Sequence, residues 1–197
     1  MKKILNCICL VIIIYSLPSC STPNRKEENK AIDDIEIPSE IQYWDESLTL
    51  ARNWNKKAEL SHISISPKIP GSRISRSSEI SYFFISNKES APVFVVTCVN
   101  GNCNSRELNL QLENSIIFDD VSINSTEAYD IALKNRGAFS DITEYSGIDL
   151  ILKRKTIKHS VHLVWCIYFS NYFPGKLPEE SLICIDAENG SVLRIDN

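Results

Sequence analysis

The sequence predicts an α+β fold built from two similar units, each a helix packed on a three- to four-stranded antiparallel sheet. Three observations carry that expectation. A stretch with helical periodicity heads each of two successive segments, and three β-rich runs follow each of them. The third run in both cases meets Asn-Gly, at Asn100-Gly101 and Asn189-Gly190, the dipeptide that best tolerates the two positive φ values of a type I′ hairpin. Length and composition agree: 197 residues, 43% of them hydrophobic, suit one or two small domains. With a net charge of -4 and no Lys/Arg stripe, the chain does not read as a nucleic-acid binder.

From the N-terminus, Lys2 and Lys3 precede an apolar run from Ile4 to Leu17. The run is about 14 residues, short of the roughly 20 a helix needs to cross the hydrocarbon core, and its basic start and small-residue end read as an export signal over residues 1–19. Leu17-Pro18-Ser19-Cys20 resembles the lipobox of bacterial lipoproteins, with Pro18 as a departure from the usual small or aliphatic residue. That resemblance implies acylation of Cys20 and a lipid-anchored location in the bacterial cell envelope. Ser21 rather than Asp follows, which in Gram-negative bacteria implies the outer membrane or its periplasmic face. Residues 20–38 read as a solvated tether, because 21–38 hold three basic and five acidic side chains and no large apolar residue before Ile32.

The first unit, 39–118, is expected to open with a capping box at Ser39-Glu40-Ile41-Gln42, with Ile41, Trp44, Leu48, Ala51 and Ala58 at helical spacing. Strands are expected at Ile63–Ser66, Glu79–Ser86 and Pro92–Val99. In the second unit, 119–197, Asn124 with Glu127 starts a helix, Ala128, Ile131 and Ala132 line one face, and Gly137 stops it. Its strands are expected at Ile148–Lys153, Val161–Ser170 and Ser181–Ala187.

Removal of Cys7 and Cys9 with the signal, and acylation of Cys20, leaves Cys98, Cys103, Cys166 and Cys184. A two-residue turn at Asn100-Gly101 makes Cys98 and Cys103 a non-hydrogen-bonded pair, whose Cα separation of about 4.5 Å suits a disulfide. Placing Cys166 opposite Cys184 pairs Trp165 with Ile185, Ile167 with Ile183, Leu163 with Ala187 and Phe169 with Ser181. One face of that hairpin is then apolar, while His162, Cys166, Tyr168, Cys184 and Asp186 fall on the other; a one-residue slip would destroy the segregation. Both pairs are therefore expected as disulfides. A zinc site is disfavoured, because the intervening spacings of four, 62 and 17 residues lack the close pairs zinc sites use.

No catalytic residues and no cofactor are expected. His62, His159 and His162 lie in no H-E-x-x-H or G-x-S-x-G frame. Asp119, Asp120, Asp130, Asp141, Glu144 and Asp149 lack calcium-loop spacing. Trp44, Trp54 and Trp165 sit on amphipathic elements as core residues do, and the glycines are accounted for by turns and helix ends.

The second unit resembles PepSY-type domains: a helix opening Ser125-Thr-Glu-Ala128-Tyr-Asp-Ile-Ala132, a strand Val164-Trp165-Cys-Ile167-Tyr, and a tail Ile185-Asp186-Ala187-Glu188-Asn189-Gly190-Ser-Val192. The first unit resembles a more diverged copy, giving a tandem PepSY-like lipoprotein. The resemblance implies a non-enzymatic, exported module that binds a protein or peptide of the envelope, peptidase inhibition included, and it supplies no functional residues. The alternative is a structural or assembly lipoprotein of the envelope; a hydrolase with an unrecognised site ranks last.

Overall fold

The computed structural model describes residues 35–73, 77–86, 92–110, 112, 114–135, 146–171 and 179–196. Among these, helix α1 (Trp44–Trp54) precedes strands β1 (Glu59–Ser66), β2 (Glu79–Ile85), β3 (Val93–Val99) and β4 (Asn102–Leu108). A 3₁₀ turn at Phe118–Asp120 leads to helix α2 (Ser125–Asn135), then β5 (Ser146–Ile157), β6 (Ser160–Asn171), β7 (Glu179–Asp186) and β8 (Val192–Asp196). The eight strands form one antiparallel sheet in the order β4-β3-β2-β1-β5-β6-β7-β8. The fold is therefore predominantly sheet, and the expected two helix-on-sheet units over 39–118 and 119–197 give way to a single continuous structure.

The join explains why. β1 bonds β2 on one side and β5 on the other, with His62, Ile63, Ser64 and Ile65 opposite Lys153, Leu152, Ile151 and Leu150. Ile63, Ile65, Leu150 and Leu152 are all fully buried on the same face, so the apolar rows of the two halves meet without a gap. Separation would return those four side chains to water, at about 1.5 to 3 kcal/mol each for complete exposure. Ser66 also donates a hydrogen bond to Asp149 across the join. Leu60 is three positions before Ile63 and yet faces the same core, because a β-bulge between Leu60 and His62 absorbs Ser61.

Both helices cover that one face. Ser47 of α1 approaches Cys98, Trp54 stacks on Phe94 at 5.1 Å, and Tyr129 of α2 meets Phe169 at 6.4 Å. A single core cluster runs from Leu60 and Tyr82 through Leu152 and Trp165 to Ile185. The hairpin register expected for β6–β7 is the one observed, with Trp165, Cys166, Ile167 and Phe169 opposite Ile185, Cys184, Ile183 and Ser181.

The turns divide by chemistry. Asn100 (φ 50°) and Gly101 (φ 81°) make the expected two-residue hairpin, with Val99 opposite Asn102. Asn189-Gly190 does not: Asp186 pairs across to Ser191, and the Gly190 N–H donates to the Asp186 carbonyl at 2.9 Å, so the loop holds more than two residues. Only Gly190 is left-handed there (φ 75°), and a Cβ on it would meet Ile131 at 3.2 Å. The third turn, Lys158-His159, has φ of 48° and 71° and joins two strands longer than the sequence indicated. Neither residue favours that region, which costs an L-residue other than Asn or Gly about 1 to 2 kcal/mol. Replacing His159 by Gly is therefore expected to raise stability by about 0.5 to 1 kcal/mol, after the added freedom of the unfolded chain is set against the relieved strain. Urea unfolding checks it.

Two corrections concern the helices and the tether. α1 begins at Trp44, with no side-chain cap; residues 40–43 form turns in which the Gln42 N–H donates to the Ser39 carbonyl, so the proposed capping box at Ser39 does not start the helix. The Asn124/Glu127 box does form, with Glu127 N–H donating to Asn124 Oδ1 at 2.9 Å and Asn124 N–H to Glu127 Oε2 at 3.0 Å. Ile35 and Ile37, assigned by the sequence to the solvated tether, are buried in the core cluster. Beyond them, buried Glu40 accepts the Ser125 N–H at 3.1 Å, Ser125 Oγ donates to the Pro38 carbonyl, and Tyr82 OH donates to the Glu40 carbonyl at 2.8 Å. A carboxylate here also meets the positive end of α2. Glu40→Ala is expected to cost about 1 to 3 kcal/mol by leaving the Ser125 N–H without its acceptor, and Glu40→Gln less, because an acceptor survives; parallel urea titrations distinguish them.

The helix-free face and its cysteines

Strand alternation fixes which residues stand on the sheet face opposite the two described helices. Asn104, Thr97, Ser81, Ser64, Ile151, Cys166, Cys184 and Arg194 stand in register across all eight strands. The next row runs Arg106, Val95, Phe83, His62, Lys153, Val164 and Asp186. The face changes character along its length. On the β1–β4 side it is hydroxyl- and amide-rich, with Ser81 and Thr97 hydrogen-bonded at 2.8 Å. On the β5–β8 side Val164, Cys166 and Cys184 form a second buried cluster, flanked by half-buried Ile157, Tyr168, Leu182 and Leu193.

The four cysteines expected as disulfides fall into two pairs. Cys98 and Cys103 are bonded, with Cα atoms 4.0 Å apart, beside the Asn100-Gly101 turn that sets their register. Cys166 and Cys184 lie directly opposite each other and are both buried, as free thiols with their sulfurs 2.6 Å apart. Lys155 Nζ sits 3.5 Å from the Cys184 sulfur. The hydrogen bond from Cys166 holds the Cys184 thiol below its ordinary pKa, with Lys155 and Lys153 acting the same way, whereas the same bond and burial push Cys166 up. Cys20 lies outside the described residues.

Close by, His162 Nδ1 is 3.3 Å from Asp186 Oδ2, while Asp186 Oδ1 accepts the N–H groups of Glu188 and Asn189 at 3.0 and 3.2 Å. This carboxylate is therefore engaged in shaping the β7–β8 loop. His62 stacks on Phe83 with centroids 3.8 Å apart, and burial, helped by Lys153, lowers its pKa to about 4. His159 is remote from both, in the turn. Asp119, Asp120, Asp130 and Asp149 converge on no shared point, and no cluster of three metal-binding side chains occurs among the described residues; Asp141, Glu144 and Gly137 lie outside them. Trp165 is buried with its indole N–H on the Ile123 carbonyl at 2.8 Å. Trp44 stacks on Phe118 at 4.9 Å, and the Trp54 indole N–H donates to Glu107 at 2.7 Å. A cleft beside the disulfide, lined by Glu36, Gln42, Tyr43, Ser78 and Cys98, has a volume of about 240 Å³, below the usual 300 to 1,000 Å³ of small-molecule sites.

The sequence missed Lys155 as a neighbour of Cys184, because strand β5 was expected to end at Lys153. Parity would have placed it there had the strand been continued. Comparisons with family models, curated proteins and solved structures yield no match for this chain.

Proposed function

We propose that the chain is an exported, lipid-anchored, non-enzymatic module that binds a protein or peptide of the cell envelope on the helix-free face of its sheet. The observation that carries this reading is the apolar cluster of Val164, Cys166 and Cys184 with its half-buried rim of Tyr168, Leu182, Ile157 and Leu193, on a face that no described helix covers. The three central side chains are fully buried, so a partner would meet this face through the half-buried rim of Ile157, Tyr168, Leu182 and Leu193. The lipobox-like Leu17-Pro18-Ser19-Cys20 and the PepSY-like character of 125–193 support the envelope location and the binding role.

Two measurements test it. Cys20→Ser is expected to abolish lipid labelling and release the protein from membranes; retention of label would refute the anchor. A photo-crosslinking side chain at Tyr168 or Leu182, expressed in the native envelope, is expected to yield a discrete adduct that the same group at exposed Glu46 on α1 does not. Identical patterns from both faces would remove the helix-free face as the binding surface.

A further inference from the structure

We propose that Cys166 and Cys184 form a thiol–disulfide exchange site, in which Cys184 attacks an external disulfide and Cys166 resolves the mixed disulfide into a cross-strand bridge. The inference does not depend on the binding role above. It starts from register: counted from the Ala187 N–H that donates to the Leu163 carbonyl at 2.9 Å, the pair Cys166–Cys184 is of the non-hydrogen-bonded kind, in which opposed Cα atoms approach to about 4.5 Å and a disulfide fits. Their sulfurs at 2.6 Å are already within reach of the bond.

The two sulfurs are not equivalent. Lys155 Nζ is placed on Cys184, at 3.5 Å, and Cys166 lies deeper in the sheet, between β5 and β7. The other charged groups facing the pair are Lys153 and Asp149 on β5, two positions either side of Ile151, and His162 on β6, paired with Asp186 on β7. Both carboxylates are engaged elsewhere, Asp149 by Ser66 and Asp186 by His162 and the backbone N–H groups of Glu188 and Asn189, and the ammonium beside Cys184 favours the nucleophilic thiolate.

Access has a structural route. Both thiols are buried, but β8 is a five-residue edge strand, and its pairing with β7 shifts register between Cys184 and Ile185. The extra residue is Leu193, which packs on the cysteine cluster. Short edge strands open locally at low free energy, and withdrawal of Leu193 bares Cys184 before Cys166.

The exchange balances as follows. The Cys184 thiolate attacks one sulfur of an external disulfide R–S–S–R, whose S–S bond breaks and releases R–S⁻. Cys166 then loses its proton and attacks the Cys184 sulfur, expelling the second R–S⁻. The two cysteines give up two electrons, the external disulfide accepts them, and the two released thiolates take the two cysteine protons to become R–SH. A dithiol reductant runs the sequence backwards.

The test uses the reduced full-length chain and oxidised glutathione, with peptide mass spectrometry to assign each sulfur. Wild type is expected to end with Cys166 bonded to Cys184 and two glutathione molecules released. Cys166→Ser is expected to trap glutathione on Cys184, and Cys184→Ser to leave Cys166 unmodified over the same time. Leu193→Ala is expected to speed modification of Cys184 several-fold, and Lys155→Gln to slow it several-fold at pH 7. Should either cysteine variant fail to fold, limiting iodoacetamide on reduced wild type decides instead: Cys184 alkylated first sustains the assignment. Cys166 reacting first or equally fast, or neither thiol reacting unless the chain is globally unfolded, overturns it.

Discussion

Replacing Leu152 with alanine is expected to lower the unfolding free energy by about 2 to 5 kcal/mol, the usual cost of a large-to-small change at a fully buried site, and to do so for both halves of the chain together. Leu152 is completely buried and opposes Ile63 across the join between β1 and β5. One core cluster spans the sheet, so urea unfolding of wild type and variant should follow a single cooperative transition. Hydrogen exchange on β2 and β6 provides the check: protection in the two strands should fall by the same increment. Loss confined to β6, with β2 unaffected, would mean that the halves unfold independently.

Acidification should destabilise the fold before most carboxylates titrate, through His62. Its pKa is lowered from 6.5 to about 4 by burial and by Lys153, its partner in the register. In the unfolded chain the imidazole takes up a proton near pH 6.5, whereas the folded one resists until about pH 4; between those values the unfolded state binds more protons, so stability falls as pH falls. The full effect across that window is about 3 kcal/mol, complete near pH 4 and absent above pH 6.5. His62→Gln is expected to flatten the decline between pH 6.5 and 5, where carboxylate protonation contributes least. An unchanged slope in that variant would assign the acid sensitivity elsewhere.

What could be read from the sequence was local. The β6–β7 register followed from the alternation of Leu163, Trp165, Ile167 and Phe169 against Ile183, Ile185 and Ala187, because a period of two assigns every side chain once a single pair is fixed. The Cys98–Cys103 bond followed from a turn whose φ values Asn and Gly accept. The Asn124/Glu127 box followed from side chains that satisfy backbone donors three residues away. Each rests on neighbours within one hairpin or one helical turn.

The remainder depended on distant partners. Ile63 and Ile65 show that β1 has a buried face but carry no information that its second neighbour is β5, so the sequence alone divides one sheet into two. Lys158 and His159 carry no turn signal, since neither is Gly, Asn or Asp, and the sequence therefore does not show how far β5 extends. Ile35 and Ile37 stand among acidic residues, and only the finished core shows where they are buried. The same holds for the site: Cys166 and Cys184 were legible as a pair, whereas Lys155 beside them required the β5–β6 register.

The join between β1 and β5 also sets an order of events during folding. β2 follows β1 closely and can pair with it early, but β5 arrives roughly 90 residues later, a long loop to close and a high-contact-order step of the kind that slows folding. Until then β1 presents an unpaired edge next to Ile63 and Ile65, the arrangement most open to mispairing between chains. A protein of this topology is completed from its centre outward only when its second half is present, and a chain truncated before β5 should accumulate as aggregate rather than as a stable half.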